Sequence, residues 1–463
     1  MNYLIKSFVC SMLLCGTTIG SVMANEISSE IQQNTITKLS TLLEEHYVFE
    51  DVAKQTTAKL KAEFEAGKFA QYHDAEGFAM ALTEWLQTQA KDRHLRVRVN
   101  PSSDNVIGAK ARFEDSLLKP LNRGASSQGV LEVSMLEGDI GYLQLNSFRG
   151  LEDTKAYLDA AMTVLSSAQA IIIDLRKNGG GSPFTVQYLC SYFFDKKLLL
   201  NSLYYREEDE TRDFYVLDDV SGKKLTDIPL YILTSKRTYS AAEEFSYNMR
   251  TRERATLVGE TTGGAANPGG MFPVNETFRT FIATGTAINP VTKTNWETVG
   301  VEPHVKVAPE QALDKAIALA KEAVNKRWHS KKQQREEGIA KLFKLMSEIQ
   351  NNAEYSDKQK SHYLTRLSQL FEGLELSRYG YYELAEDELD KHPHLGALLL
   401  EVNSQYFPKD EYIYGLWAEA LKKNGQLKQA KKILESGIER VESELQKQYL
   451  QKELAQLDSK SAL

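Results

Sequence analysis

Ile171-Ile172-Ile173-Asp174-Leu175-Arg176-Lys177-Asn178-Gly179-Gly180-Gly181-Ser182 is the segment on which the fold turns. An apolar run of β-branched residues ends in a polar turn, which is the pattern of a strand. Three glycines follow, and a helix is expected over 183–194. Glycines let the backbone turn sharply and bring bare N–H groups close to a ligand. Ahead of a helix, such groups make an anion or oxyanion site. The plain alternative is a tight structural turn, and this segment alone leaves both open. No Gly-Lys-Ser/Thr follows at P-loop spacing, and G-x-G-x-x-G is absent, so nucleotide-binding turns are disfavoured.

Outward from this strand the texture is mixed. Gly141–Leu145, Leu230–Thr234 and Thr256–Val258 are further strand candidates, with helices expected over 151–166 and 240–250. Strands alternating with helices imply an α/β core with parallel pairing. Before it, residues 27–90 read as helical: Ile36, Leu39, Leu42 and Leu43 recur at helical spacing, as do Phe78, Ala81, Leu82 and Leu86. After it, residues 311–463 turn helical again and rich in Lys, Glu and Gln. The charged run His329–Glu337 reads as a solvated helix face or a linker. Tyr414, Trp417, Ala418, Leu421, Gly425, Leu427, Ala430 and Leu434 fall at the spacing of a tetratricopeptide (TPR) unit, near 411–444. One such unit cannot bury its own apolar face. It serves either as a helical cap or as a groove for a protein partner.

The chain has 463 residues, 42% of them hydrophobic and 26% charged, which excludes wholesale disorder. Its formal net charge is −7, with no basic excess to offset phosphate, so nucleic acid is not an expected partner. Lys6, the apolar stretch Phe8–Ile19 and Val22-Met23-Ala24 read as a secretory leader over 1–24, cleaved after Ala24. The apolar run is short for a membrane anchor, and no later stretch is long enough to span. The expected location is periplasmic or secreted, with no membrane span in the mature chain. The mature chain would keep one cysteine, Cys190, in an apolar context that suits a packing thiol. The expected divisions are the leader 1–24, an N-terminal helical domain 25–92, an α/β core 93–310 and a helical tail 311–463.

A second segment carries possible chemistry: Thr238-Tyr239-Ser240-Ala241-Ala242-Glu243-Glu244-Phe245, where a strand gives way to a helix. Ser240 with Glu243 three residues later is a capping box, and that is a sufficient structural explanation. The functional alternative is a nucleophile at a helix N-terminus, where the dipole favours developing negative charge. A serine nucleophile needs a base. Six of the eight histidines lie in the polar helical flanks; only His94 and His304 border the core. No H-E-x-x-H occurs, and the proline in His392-Pro393-His394 gives poor ligand geometry. Neither a metal nor a cofactor is expected.

Five blocks in order resemble peptidase family S41, which includes the tail-specific proteases, tricorn protease and interphotoreceptor retinoid-binding protein. They are Asp92-Arg93-His94-Leu95; Asp174 to Gly181; Thr238 to Phe245; Gly259-Glu260-Thr261-Thr262-Gly263-Gly264; and Trp296-Glu297-Thr298-Val299-Gly300-Val301-Glu302-Pro303. The resemblance implies a crotonase/ClpP-like α/β core with an N-terminal helical domain and a C-terminal helical, TPR-like tail. Tail-specific members pair their serine with a lysine, but the corresponding stretch here, Gly263 to Asn267, has none. Tricorn-like members use serine, histidine and glutamate, and Ser240, His94 and Glu297 stand at the matching positions. The resemblance also implies an oxyanion hole from the N–H groups of Ala241, Gly179 and Gly180. Arg93 replaces a serine of tricorn, so a tetrad is not expected; His304 replaces the family's usual aspartate. The stretch from Leu95 to Gly141 is about half what a PDZ domain needs, which places the layout nearest the retinoid-binding-protein-like branch. The expected function is a serine endopeptidase acting on peptides or unfolded proteins. The alternative is a non-catalytic binding protein for an apolar ligand or peptide on the same scaffold, because fold does not fix function.

Overall fold

The computed structural model describes residues 26–101, 128–375 and 378–461; the leader expected over 1–24 lies outside them. The chain divides into two units, Met1–Val324 and Asn325–Leu463.

The first unit opens with three helices, α1 (Ser29–His46), α2 (Glu50–Glu65) and α3 (Ala75–Ala90). Ser28 caps α1 by accepting from the Ile31 N–H, and Asp74 caps α3 by accepting from Gly77 at 2.7 Å. Of the apolar positions at helical spacing, Ile36, Leu39, Leu43, Phe78, Leu82 and Leu86 are buried in one cluster, while Leu42 and Ala81 pack against it partly buried.

The α/β part follows in chain order: β1 (Arg96–Val99), β2 (Val130–Leu136), β3 (Ile140–Leu145), α4 (Leu151–Leu165), β4 (Ala170–Asp174), α5 (Pro183–Ser191), β5 (Leu199–Tyr205) and β6 (Glu210–Tyr215). Then come β7 (Leu230–Thr234), α6 (Ala241–Thr251), β8 (Thr256–Gly259), β9 (Gly269–Pro273), β10 (Phe278–Ala283), β11 (Gly285–Ile288), β12 (Val305–Lys306) and α7 (Ala312–Gln350). The central sheet runs β12-β8-β7-β4-β3-β2, parallel throughout except for the antiparallel β2–β3 edge pair. β4 is buried along its whole length. Ile171 and Ile173 pack on one side against α4, α5 and α6; Ala170 and Ile172 pack on the other against Ala312, Ala316 and Ala320 of α7. A parallel strand covered on both faces has no polar side to alternate with, which is why its sequence is a continuous apolar run. Cys190 is fully buried in the α4–α6 layer.

Two smaller sheets complete this unit. β1-β10-β9 packs one face on the α1–α3 cluster, and β11-β5-β6 lies beside the main core.

The second unit is helical: the end of α7, then α8 (Asp357–Leu374), α9 (Arg378–Glu386), α10 (Pro393–Tyr406), α11 (Glu411–Lys423), α12 (Leu427–Arg440) and α13 (Glu444–Ser461). Tyr414, Trp417, Ala418, Leu421, Ala430 and Leu434 form part of its core. Gly437 sits against the Tyr414 ring, where an added Cβ would come within 2.6 Å of Cγ. No helix among the described residues is long and apolar enough to cross a membrane.

Candidate active site

β4 and β7 are adjacent parallel strands, with Asp174 in register with Leu233. Their carboxyl ends therefore reach the same edge of the sheet, the place where α/β folds set their ligand sites. The turn after β4 holds the three glycines, and the turn after β7 holds Ser240. Asn178, fully buried, ties the two together. Its Nδ2 donates to the Leu145 carbonyl at 2.9 Å, its Oδ1 accepts from Gly180 N–H at 2.9 Å, and its carbonyl accepts from Tyr239 N–H at 3.1 Å. Gly180 has φ +97° and packs so close that an added Cβ would lie 2.7 Å from Ser240 Cβ and 2.8 Å from the Tyr239 carbonyl oxygen. Only glycine meets both demands.

Ser240 stands at the N-terminus of α6 with φ 54° and ψ −123°. That is the first central position of a type II′ turn, dominated by glycine and small polar residues. A serine held there stores strain. A sharp strand-to-helix turn of this kind lifts a side chain off the sheet edge toward solvent. The Ser240 N–H donates to Glu243 Oε2 at 2.9 Å, the half of the expected capping box that braces the turn. Glu243 also accepts from Thr262 Oγ1, from Gly264 N–H at 2.7 Å and from Ala265 N–H at 2.9 Å. Burial pushes its carboxyl up to about 7, against these four donors, which favour the charged form. Of the expected oxyanion donors, the Gly180 N–H is already given to Asn178, which leaves Ala241 and Gly179. Ala241 is the first residue of α6, so its N–H has no carbonyl within the helix.

His94 sits between α3 and β1, 9% exposed. Its ring stacks on Phe281 (centroids 5.5 Å apart) and meets the edge of Tyr239 at 5.2 Å. Tyr239 immediately precedes Ser240, and its hydroxyl donates to the Arg93 carbonyl at 2.9 Å, so one residue links the histidine turn to the serine turn. His94 Nδ1 is buried and makes no hydrogen bond among the described residues; Glu297 Oε2 lies 3.8 Å from it. Backbone groups hold Glu297: Oε1 accepts from Arg93 N–H at 2.9 Å, and Oε2 accepts from Ala266 at 2.6 Å and Asn267 at 3.2 Å. Among the described residues no hydrogen bond joins Ser240 Oγ to His94. Such contacts are often long before substrate binds.

Three participants were not assigned a role from sequence. Asp92 Oδ1 accepts from His94 N–H at 2.8 Å, while its Oδ2 accepts from Tyr47 Oη and Asn267 Nδ2, each at 3.1 Å. Burial, then the neighbouring Glu297 charge, raises the Asp92 carboxyl above the usual range. Asp92 was visible as part of a sequence block, but nothing local tells that Tyr47 from α1 and Asn267 from the β8–β9 loop converge on it. Asp92, His94 and Glu297 offer ligand atoms within 4.8 Å of one another, a spacing that could hold a metal ion. Their carboxylate oxygens are already engaged by the donors just named. His392 and His394 are engaged elsewhere, by Glu388 at 2.6 Å and by the Ile349 carbonyl at 3.0 Å.

The sequence profile of peptidase family S41 matches residues 139–307, and that of the N-terminal domain of peptidase S41 in eukaryotic IRBP matches residues 26–128. The chain belongs to peptidase family S41. Among curated relatives, this S41 chain is 27% identical over 184 residues to a carboxy-terminal-processing protease of Bartonella bacilliformis, covering 38% of this chain and 40% of that protein. It is 26% identical over 165 residues to a carboxyl-terminal-processing protease of a Picosynechococcus species, covering 36% and 37%. The match thus spans well under half the length of either relative. Among solved structures, mature CPAF complexed with lactacystin aligns at 14% identity with a TM-score of 0.46, covering 64% of this chain and 100% of that one.

Proposed function

We propose that this S41 chain is a serine endopeptidase of the periplasm or the extracellular space, acting on peptides or partly unfolded proteins. Ser240 is the nucleophile, His94 the general base, and Glu297 the group that orients the imidazole. His94 takes the Ser240 proton as Oγ attacks the scissile carbonyl carbon. The oxyanion of the tetrahedral intermediate is received by the N–H groups of Ala241 and Gly179. Collapse breaks the C–N bond, and His94 returns the proton to the leaving amine. Water, deprotonated by His94, then attacks the acyl carbon; the C–Oγ bond breaks and His94 returns the proton to Ser240 Oγ. Glu297 stabilises the imidazolium in both steps. A single oxyanion donor is typically worth about 100- to 1000-fold in rate. The observation that carries this reading is the strained backbone of Ser240 at a helix N-terminus, with Gly180 packed against it.

The location rests on the leader-like sequence of residues 1–24. In the same reading, residues 25–92 form the helical entry domain, 93–310 a crotonase/ClpP-like core, and 311–463 a tail whose α11–α12 hairpin is a TPR-like unit. The 3.8 Å gap between His94 and Glu297 is the feature a non-catalytic binder on this scaffold would share.

Labelling of the purified protein with a fluorophosphonate, read by mass spectrometry, separates the two. An adduct on Ser240 that disappears in Ser240→Ala and His94→Ala, and survives a chelator, is expected. No adduct in folded protein, or loss of labelling with EDTA, refutes the mechanism.

A further inference from the structure

The β1-β10-β9 sheet has two unlike faces. Arg96 is paired with Phe281, Arg98 with Arg279, and Met271 and Pro273 extend these two rows onto β9. The alternate residues Val97, Phe278 and Ile282 point into the α1–α3 core. The opposite face therefore presents three arginines beside Phe281 and the 45%-exposed Met271. This face begins at the site. Phe281 stacks on His94, and the Arg96 guanidinium lies over the Tyr239 ring at 5.4 Å while donating to its hydroxyl at 3.1 Å.

The arginines are poorly compensated. Arg98 and Arg279 stand directly opposite each other on antiparallel strands, where like charges destabilise. None of the three forms an ion pair with a carboxylate among the described residues, and Arg279 Nε is buried without a hydrogen-bond partner. Glu76 and Glu84 line the same cavity as Arg96 and Arg98 but form no ion pair with them. A buried unsatisfied donor and a like-charge pair are features that a bound anion would relieve.

We infer that this face is a carboxylate-recognition subsite for the substrate chain. Arg98 and Arg279 grip the carboxylate, a group their planar forks match in geometry. Phe281 and Met271 supply apolar contact beside it. The two rows are two residues apart along a strand, about 7 Å. The carboxylate therefore falls about two residues along an extended substrate from the residue over His94. The inference rests on the reading of Ser240 as nucleophile only for that placement. The carboxylate is supplied either by an Asp or Glu side chain or by the substrate's own C-terminus.

Binding is measured with Ser240→Ala protein, so that no turnover is required. Fluorescein-labelled peptides are followed by anisotropy: one with Glu residues and an amidated end, one with Lys in their place, and one with neutral side chains and a free C-terminal carboxylate. The Glu peptide is expected to bind about tenfold tighter than the Lys peptide, with the gap narrowing as salt rises. The preference should invert in Arg98→Glu/Arg279→Glu and vanish in Arg98→Gln/Arg279→Gln, with circular dichroism checking the fold of each. Equal or tighter binding of the free-carboxylate peptide, lost in the same variants, assigns the subsite to substrate ends. Indifference to peptide charge, or a preference that survives in the folded double variants, overturns the inference. Absence of Ser240 labelling in the wild type would refute the peptidase reading without touching this result.

Discussion

Replacing Ser240 with glycine should make the protein more stable than replacing it with alanine, while both abolish labelling. Ser240 holds φ 54° and ψ −123°. A non-glycine residue in such a region costs about 1–3 kcal/mol, and alanine keeps the Cβ that causes it. Glycine removes the strain but loses about 0.5–1 kcal/mol through its freer unfolded chain. Taking the middle of each range, Ser240→Gly is expected to exceed Ser240→Ala by about 1 kcal/mol, a factor of roughly 5 in the folding equilibrium. Both variants lack the hydroxyl, so the comparison isolates the backbone. Urea unfolding in a Trp328→Phe/Trp417→Phe background lets Trp85 and Trp296 report on the first unit alone. Equal midpoints, or a less stable glycine variant, would refute the claim that the serine turn is strained.

Glu297→Gln should lower the rate of Ser240 labelling by about 100- to 10,000-fold in protein whose fold is checked by circular dichroism, because an amide presents the imidazole with the wrong partner; stopped-time labelling measures it, and a change under tenfold would remove Glu297 from the mechanism. Glu243 carries a pH signature. Its carboxyl rises from 4.5 unfolded to about 7 folded, so the native state binds the proton more tightly. Its contribution is complete below pH 4.5 and is lost as pH climbs to about 7, by about 3 kcal/mol. Urea midpoints at pH 5 and pH 7.5 should differ less in Glu243→Gln than in wild type, and identical pH slopes would contradict the assignment.

How much was readable in advance depended on the range of the interaction. β4 and β7 were legible because strands buried on both faces write themselves as apolar runs. The Ser240–Glu243 relation was legible because it spans one helical turn. The other three donors to Glu243 were not, since Thr262, Gly264 and Ala265 come from the loop after β8. Gly180 was expected as an oxyanion donor, yet its N–H is taken by Asn178, two residues away, in a turn whose shape depends on the Leu145 and Tyr239 contacts.

The resemblance of five ordered blocks to family S41 is what singled out Ser240, His94 and Glu297 as candidates; each taken alone reads as structural. The approach of Glu297 to His94 was a matter of tertiary structure. Adjacency of β4 and β7 brings the glycine turn against Ser240. Arg93, Ala266 and Asn267 present backbone N–H groups that draw Glu297 to the buried edge of His94. Asp92 gained its partners the same way, from α1 and from the β8–β9 loop. Local sequence encodes the energies of short-range turns and faces. Which buried polar groups share a site is decided by the packing of distant segments, where each donor must find an acceptor that only the assembled fold supplies.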